Sequence, residues 1–385
     1  MCYNPKMNLS EKIIKKDKYG PEYVVEVYDS SIGMNGFLVI DNTVLGPGKG
    51  GIRMTPGVTA EEVYRLARTM TWKNSLAGIP FGGAKAGIVW PGGDDNLKKK
   101  FVQSFAKAIK PFLMKKYIAG PDVNTGEKEM QWFVEATSNL RAATGKPSKL
   151  CHPTGERCGL PHELGSTGYG VAQAAAIAVK LKGLDISRTT VAIEGFGNVG
   201  EFTLRHLAGM GAKVVAITDV HGGVYDKNGL DEKILLNLKH QKKSPIEYPG
   251  GTKIENGQIF GLPVDVFIPA AVTDTINEKN KNEIKAKIIV EGANIPMREQ
   301  IEEEFFRRGV LVVPDFVANA GGVISSYAEY RGYGHEKMFK LVERKIKSAT
   351  TAVLKRSLKE NRNPREVAME IAVRKVEEKT EKRRK

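Results

Sequence analysis

Residues Val191-Ala-Ile-Glu-Gly-Phe-Gly-Asn-Val-Gly200 limit the possible folds more than any other stretch. An apolar, β-branched run enters Gly195-x-Gly197-x-x-Gly200, the form of a buried strand that turns at once into a helix. The first glycine permits the tight turn, the second lets backbone approach a pyrophosphate, and the third lets helix pack close to strand. Phosphate would sit over the helix N-terminus, whose free N–H groups favour anions. The next strand-like run, Lys213–Thr218, ends in Asp219, at nearly the distance where a carboxylate accepts hydrogen bonds from an adenosine ribose. Gly195, Phe196, Gly197, Asn198, Val199, Gly200 and Asp219 therefore form a dinucleotide-binding set. Asp219 opposes a ribose phosphate, which favours NAD over NADP, and neighbouring His221 partly offsets that. A glycine turn without nucleotide is the plainer alternative.

The surroundings agree. Thr190–Glu194, Lys213–Thr218, Val264–Ile268, Lys287–Val290 and Val310–Val313 alternate with helical segments, the pattern of a parallel α/β domain. The chain has 385 residues, more than one hydrophobic core usually serves. Before the glycine turn, Tyr23–Tyr28 and Phe37–Ile40 read as strands. Thr59 starts a helix with Glu62 in a capping box, and Val63, Leu66, Met70 and Lys73 share its inward face. Leu97, Phe101, Phe105 and Ile109 mark a second helix, and Glu127 to Leu140 a third. Near residue 145 the texture turns to Gly, Pro and Cys, as at a crossing between domains. After Gly322 the chain reads as helical and highly charged.

Composition excludes several classes. No apolar run reaches the ~20 residues that span a bilayer. Met1-Cys-Tyr-Asn-Pro-Lys-Met-Asn lacks the apolar core of a secretory signal. Three cysteines give no disulfide framework and suit a reducing cytosol, so the expected location is cytoplasmic. The net charge of +15 invites a nucleic-acid reading. There is no zinc-finger spacing, RNA-recognition signature or aromatic-basic interleaving to support it. Lys98, Lys99, Lys100, Lys115 and Lys116 read instead as solvated, helix-like stretches. Cys151, His152, Cys158 and His162 carry metal-ligand chemistry but match no common zinc spacing, and a loop with free thiols is expected, with no metal.

Chemistry concentrates before residue 125. Gly46-Pro-Gly-Lys49-Gly-Gly-Ile-Arg53, Met70-Thr-Trp-Lys73, Pro80-Phe-Gly-Gly-Ala-Lys85 and Ala119-Gly-Pro-Asp122 bring three ammonium groups and one acid. A lysine on an inward face wants an anionic partner. Lysines in glycine-dense segments can meet a ligand that backbone crowds. The set suits a small substrate with two carboxylates. Taken singly, snorkelling lysines and a turn-forming aspartate are the bland alternative.

With these motifs, Glu291-Gly-Ala-Asn294 and Pro314-Asp-Phe-Val-Ala-Asn319-Ala-Gly-Gly-Val, the sequence resembles the glutamate/leucine/phenylalanine/valine amino-acid dehydrogenases from about residue 20 to 335. It is most similar to their hexameric glutamate dehydrogenase branch. The resemblance implies an α/β fold of two domains separated by a cleft. Residues 1–167 would bind substrate and oligomerise, helices over 335–385 would pack back on them, and 168–334 would form a Rossmann-type NAD(P) domain. It implies that Lys85 activates the attacking water and Asp122 moves protons at the amino nitrogen. Lys73 would hold the α-carboxylate, with Met70 beside it, and Lys49 and Ser326 the distal carboxylate. Thr167, Asn198, Asn294 and Asn319 would surround the cofactor, Thr167 and Asn319 toward the nicotinamide.

The implied reaction is NAD(P)-linked, reversible oxidation of L-glutamate to 2-oxoglutarate and ammonia by a homo-oligomer, with no nucleic-acid or membrane partner. A leucine-, valine- or phenylalanine-specific relative, or a non-catalytic nucleotide-binding homologue, is the alternative. Lys49 and Ser326 favour glutamate, because branched-chain enzymes of the family resemble one another in lacking both. Three places depart from the family pattern. Ala86 replaces a glycine after the catalytic lysine, a methyl that is either harmless or crowds the substrate. Cys151–Thr167 replaces a glycine-rich stretch with an arginine, and Ile295-Pro296-Met297 replaces Gly-Pro-Thr.

Overall fold

The computed structural model describes residue 14 and residues 16–152, 154, 158–161 and 164–384. The N-terminal segment with Cys2, and His162, lie outside them, so the readings made on those residues are not met here. Two compact units emerge, Met1–Thr71 with Phe81–Ala143, and Trp72–Pro80 with Thr144–Lys385.

The first unit is built on a six-stranded sheet. Its strands are β1 (Tyr23–Asp29), β2 (Met34–Asn42), β3 (Gly48–Lys49), β4 (Ile52–Thr55), β5 (Gly82–Val89) and β6 (Tyr117–Ile118). The order is β1-β2-β5-β3-β6, with β4 also pairing β5. β1, β2 and β5 run antiparallel, whereas β3 and β4 run parallel to β5 and β6 parallel to β3. Helix α1 (Ala60–Leu76) lies directly on β5, where a Cβ on Gly83 would stand 2.0 Å from Thr71 Oγ1. Its buried residues are Val63, Ala67, Thr71 and Asn74, with Ser75 and Leu76 at its end. Leu66, Met70 and Lys73 form a half-buried flank instead of the inward face. Thr59 Oγ1 accepts the Glu62 N–H at 3.2 Å, but the Glu62 carboxylate turns to Arg53, so only half of the capping box forms.

Asp94 caps helix α2 (Asp95–Ala108) by accepting from Leu97 N at 2.8 Å, and Phe101, Phe105 and Ile109 are buried as their spacing requires. Helix α3 (Glu127–Thr137) stops short of Leu140 at Ser138, whose φ of 52° leaves the helical region. Lys98–Lys100 ride on α2, but Lys115 and Lys116 belong to the turn before β6, not to a helix.

In the second unit, α4 (Ser166–Leu181) precedes β7 (Thr190–Glu194), α5 (Asn198–Gly209) and β8 (Lys213–Asp219). Then come β9 (Gly222–Tyr225), α6 (Glu232–His240), β10 (Thr252–Ile254), β11 (Val266–Pro269), β12 (Ile288–Val290), α7 (Glu299–Arg307) and β13 (Leu311–Val313). The seven-stranded order is β10-β9-β8-β7-β11-β12-β13. Its five strands from β8 to β13 in that order are parallel, and β9 and β10 add an antiparallel edge. Val215, Phe267, Ile289 and Phe305 belong to the core beneath it.

The chain finishes with α8 (Asp315–Ala318), α9 (Gly321–Tyr330), α10 (His335–Glu360) and α11 (Pro364–Arg384). α10 packs on α4 and α9, and α11 on α10. Both also hold the end of α1: Ser75 Oγ donates to Ala372 O at 2.6 Å, and Lys345 Nζ to Gly78 O at 2.5 Å. These contacts group 72–80 with the second unit. The unit boundary falls at 143/144, ahead of the expected 167, and the C-terminal helices group with the later residues.

Cys151 and Cys158 are joined as a disulfide, which corrects the expectation of free thiols. The chain doubles back here, Gly159 N donating to Leu150 O at 3.2 Å, so the two cysteines become neighbours. Sulfurs bonded to each other offer a metal no thiolate. Among the described residues no helix is long and apolar enough to cross a membrane.

Candidate active site

The first unit gathers Lys85, Asp122 and Arg53. Lys85 projects from β5, 5% exposed, with Nζ 2.8 Å from Asp122 Oδ1. The other Asp122 oxygen takes Arg53 Nε at 2.9 Å, and Arg53 Nη1 reaches Glu62 Oε1 at 2.5 Å. Burial pushes the Lys85 ammonium below its ordinary range, and the attraction of Asp122 only partly restores it. Burial also pushes Asp122 up, but Lys85 and Arg53 outweigh it and hold the carboxyl below the usual range. The arrangement is a carboxylate that stays ionised beside a lysine that readily gives up its proton. Sequence reasoning placed Lys85 and Asp122 but passed over Arg53, although its motif was in view, and read Glu62 as a cap.

The glycines around this cluster serve the protein's own backbone. A Cβ on Gly50 would lie 1.7 Å from Ala84 O and one on Gly51 2.4 Å from Pro121 O, so the Gly-Gly after Lys49 lets the chain lie close to β5 and to the Pro121–Asp122 segment. Ala86 follows Lys85 on one strand and therefore faces the opposite side of the sheet. It is fully buried and pairs with Leu38 and Ile52, so its methyl packs away from the Lys85 side chain, in line with the harmless alternative. Lys49 points inward, 3% exposed, with Nζ donating to Ala119 O at 2.7 Å.

In the second unit the dinucleotide turn has the expected form. Gly195 has φ +101°, and a Cβ on Gly200 would meet Gly195 O at 1.8 Å. Apart from its chain neighbours, none of the described residues comes within 4 Å of where a Cβ on Gly197 would stand. Asn198 Oδ1 is buried with no hydrogen-bond partner among the described residues. Open space over the second glycine, an unmatched polar atom and the first-turn N–H groups of α5 together fit a dinucleotide. Lys239 on α6, unmarked by the sequence reading, donates to Phe196 O and stands 5.1 Å from the centre of its ring. Asp219 Oδ1 accepts from His221 N and Ser244 Oγ, both at 2.8 Å. Val199 is half-buried in the first turn of α5.

A second cluster in this unit joins expected substrate and cofactor residues. Lys73 Nζ, in the last turn of α1, stands 2.5 Å from Asn319 Oδ1. Asn319 Nδ2 donates to Gly292 O, Ala293 O and Asn294 Oδ1 at 3.3, 3.2 and 3.0 Å. Thr167 is buried at the start of α4, where a Cβ on Gly322 would approach its hydroxyl to 3.0 Å. Ser326 is half-buried one turn further along α9, and Met70 is half-buried on α1.

Comparison with known proteins converges on one family. Residues 159–384 match the family described as Glutamate/Leucine/Phenylalanine/Valine dehydrogenase, and residues 21–139 its Glu/Leu/Phe/Val dehydrogenase dimerisation domain. The glutamate dehydrogenase of Aeropyrum pernix is 40% identical over 359 residues, 87% of this chain and 83% of that one. The NADP-specific glutamate dehydrogenase of Saccharolobus shibatae is 40% identical over 331 residues, 80% of this chain and 75% of that one. Among solved structures, glutamate dehydrogenase from Peptoniphilus asaccharolyticus superposes with a TM-score of 0.81 at 27% identity, covering 94% of this chain and 92% of that one. The hetero-hexameric glutamate dehydrogenase of Thermus thermophilus, in a Leu-bound form, gives 0.80 at 26%, covering 94% and 90%. The chain belongs to the glutamate/leucine/phenylalanine/valine dehydrogenase family.

Proposed function

We propose that this protein oxidises L-glutamate reversibly to 2-oxoglutarate and ammonia with NAD(P). The observation that carries the reading is the buried Lys85–Asp122 contact of 2.8 Å, held from behind by Arg53. When bound, the nicotinamide cofactor accepts the α-hydrogen of the amino acid with its electron pair. Asp122, kept ionised by two cations, takes a proton from the amino nitrogen and later returns one to the departing ammonia. Lys85, its proton loosened by burial, takes the proton of the water that adds to the oxidised carbon. Lys73 holds the α-carboxylate, fixed by Asn319, with Met70 beside it. Lys49, a buried ammonium that donates to Ala119 O, serves the distal carboxylate, with the Ser326 hydroxyl as its partner in that role. Two carboxylate anchors orient the reacting carbon.

Gly195, Phe196, Gly197, Asn198, Val199 and Gly200 hold the pyrophosphate region. Thr167 and Asn319 serve the nicotinamide end, Asn294 belongs to the same cofactor set, and Asp219 serves the adenosine ribose. Asp219 favours NAD, whereas the Saccharolobus relative is NADP-specific. The enzyme works as a homo-oligomer, a hexamer, in the cytoplasm. Purified protein should reduce NAD or NADP with glutamate and oxidise the reduced form with 2-oxoglutarate and ammonia. Absence of turnover with both coenzymes contradicts the reading. Light scattering should give six copies, and a stable monomer contradicts that part.

A further inference from the structure

Arg365, in the first turn of α11, lies among three buried carboxylates. Its Nη2 stands 3.0 Å from Glu291 Oε2, 2.5 Å from Glu302 Oε1 and 3.0 Å from Asp315 Oδ1. Its guanidinium also lies 5.4 Å from the centre of the Phe316 ring. Glu291 opens the loop after β12 and accepts the Asp315 N–H at 2.7 Å. Asp315 opens α8 and accepts the Ile295 N–H at 3.0 Å. Ile295 has φ 49°, a conformation a β-branched residue adopts only when something holds it. These two segments carry Asn294 and Asn319, which bond to one another.

One guanidinium faces three carboxylates, so the charges do not match. Glu291 Oε1 and Glu302 Oε2 are both buried with no donor among the described residues. Both carboxylates meet the same Arg365 Nη2, so a proton held between them relieves the excess of negative charge.

We infer that Arg365 is a positioning residue for the cofactor side, fixing through Glu291 and Asp315 the two segments that carry Asn294 and Asn319, and that a proton shared by Glu291 and Glu302 completes this clamp. The inference rests on the reading that those asparagines face the coenzyme. Burial, and then each other's charge, raises Glu291 well above the ordinary carboxyl range, and burial raises Glu302. The other charged groups on the packed elements, Glu299, Glu303 and Arg307 on α7 with Arg362, Glu366 and Glu370, line the adjoining groove. Arg307 pairs with Glu303, and Arg362 with Glu366 and Glu370. A carboxyl held above its ordinary range binds its proton more tightly in the folded state. The folded form therefore loses stability as pH climbs from the ordinary glutamate range through the raised value.

The test measures coenzyme Kd and Tm from acid to alkaline pH for the full-length enzyme and for Arg365→Lys, Arg365→Met and Glu302→Gln. Arg365→Met should raise Kd at least about 10-fold well below its Tm, with Arg365→Lys in between. A folded Arg365→Met that binds coenzyme as the wild type does overturns the positioning role, because a merely structural arginine lowers Tm alone. Should Arg365→Met not fold, Arg365→Lys is read by the same criterion. The amide of Glu302→Gln replaces the shared proton, so its Tm should fall less than the wild type's toward alkaline pH. Parallel Tm curves overturn the shared proton. If the wild type binds no coenzyme, the cofactor reading fails, and the clamp is still judged by the Tm curves.

Discussion

Lys85 Nζ and Asp122 Oδ1 are 2.8 Å apart in the first unit, and Arg53 grips the opposite oxygen of the same carboxylate. An isolated buried ion pair gains little over an apolar pair, and removing one partner strands the other. Here Arg53 adds a second cation to Lys85, and together they hold Asp122 below the usual carboxyl range against its burial.

Replacing Lys85 by Ala should therefore lower kcat by about 10²–10⁴-fold, the usual worth of a positioned acid or base. Coenzyme binding, carried by the second unit's turn at Gly195–Gly200, should be nearly unchanged in fluorescence titration. Loss of coenzyme binding instead would put Lys85 in a different site.

The pH profile follows from the same pair. Burial lowers the Lys85 pKa and Asp122 raises it. Deamination should therefore rise with pH through an ionisation below that of a free lysine, which is about 10.4. Asp122→Asn removes the opposing term, so the residual activity should show that limb at lower pH. A limb that stays in place, or moves up, contradicts the assignment.

The glycine turn separates stability from binding. Gly200→Ala would drive a Cβ to 1.8 Å from Gly195 O, so it should lower Tm through overpacking worth about 1–3 kcal/mol. Gly197 has φ −81° and open space above it, so Gly197→Ala should fold with an ordinary Tm. Its coenzyme Kd should still rise, because the methyl occupies the room left for pyrophosphate. Equal Tm losses for both variants, with unchanged binding by Gly197→Ala, would show that the turn serves packing alone.

The sequence exposed the second unit better than the first, for physical reasons. β7, β8, β11, β12 and β13 are buried on both faces and parallel, so each appears as a β-branched run. The β5 segment, Gly82–Val89, carries no clear strand signal, because glycines are depleted in strands generally. Their presence reflects the closeness of α1, with Thr71 where a Gly83 side chain would be, and no local signal carries that. The inward face of α1 was misjudged by one position, since small residues Ala67, Thr71 and Asn74 do the packing while Leu66 and Met70 flank it.

The candidate site was legible where motif and chemistry coincided, as for Lys85, Asp122 and the Gly195 turn. Arg53 was passed over because nothing in its motif marks it beyond its charge, and Glu62 was read only as a cap because that local role sufficed. Arg365 was invisible for a different reason. It sits in a helix of charged residues, and only folding brings Glu291, Glu302 and Asp315 around it.

Substrate choice is the central claim, and it turns on Lys49. A leucine or phenylalanine side chain beside a buried ammonium leaves that charge desolvated, whereas glutamate brings its counter-charge. The most direct measurement is kcat/KM for glutamate, leucine, valine and phenylalanine with NAD and NADP, in the wild type and in Lys49→Leu. The wild type should favour glutamate over leucine, and Lys49→Leu should collapse or reverse that ratio. A wild type that favours leucine, or a ratio unmoved by Lys49→Leu, would contradict it.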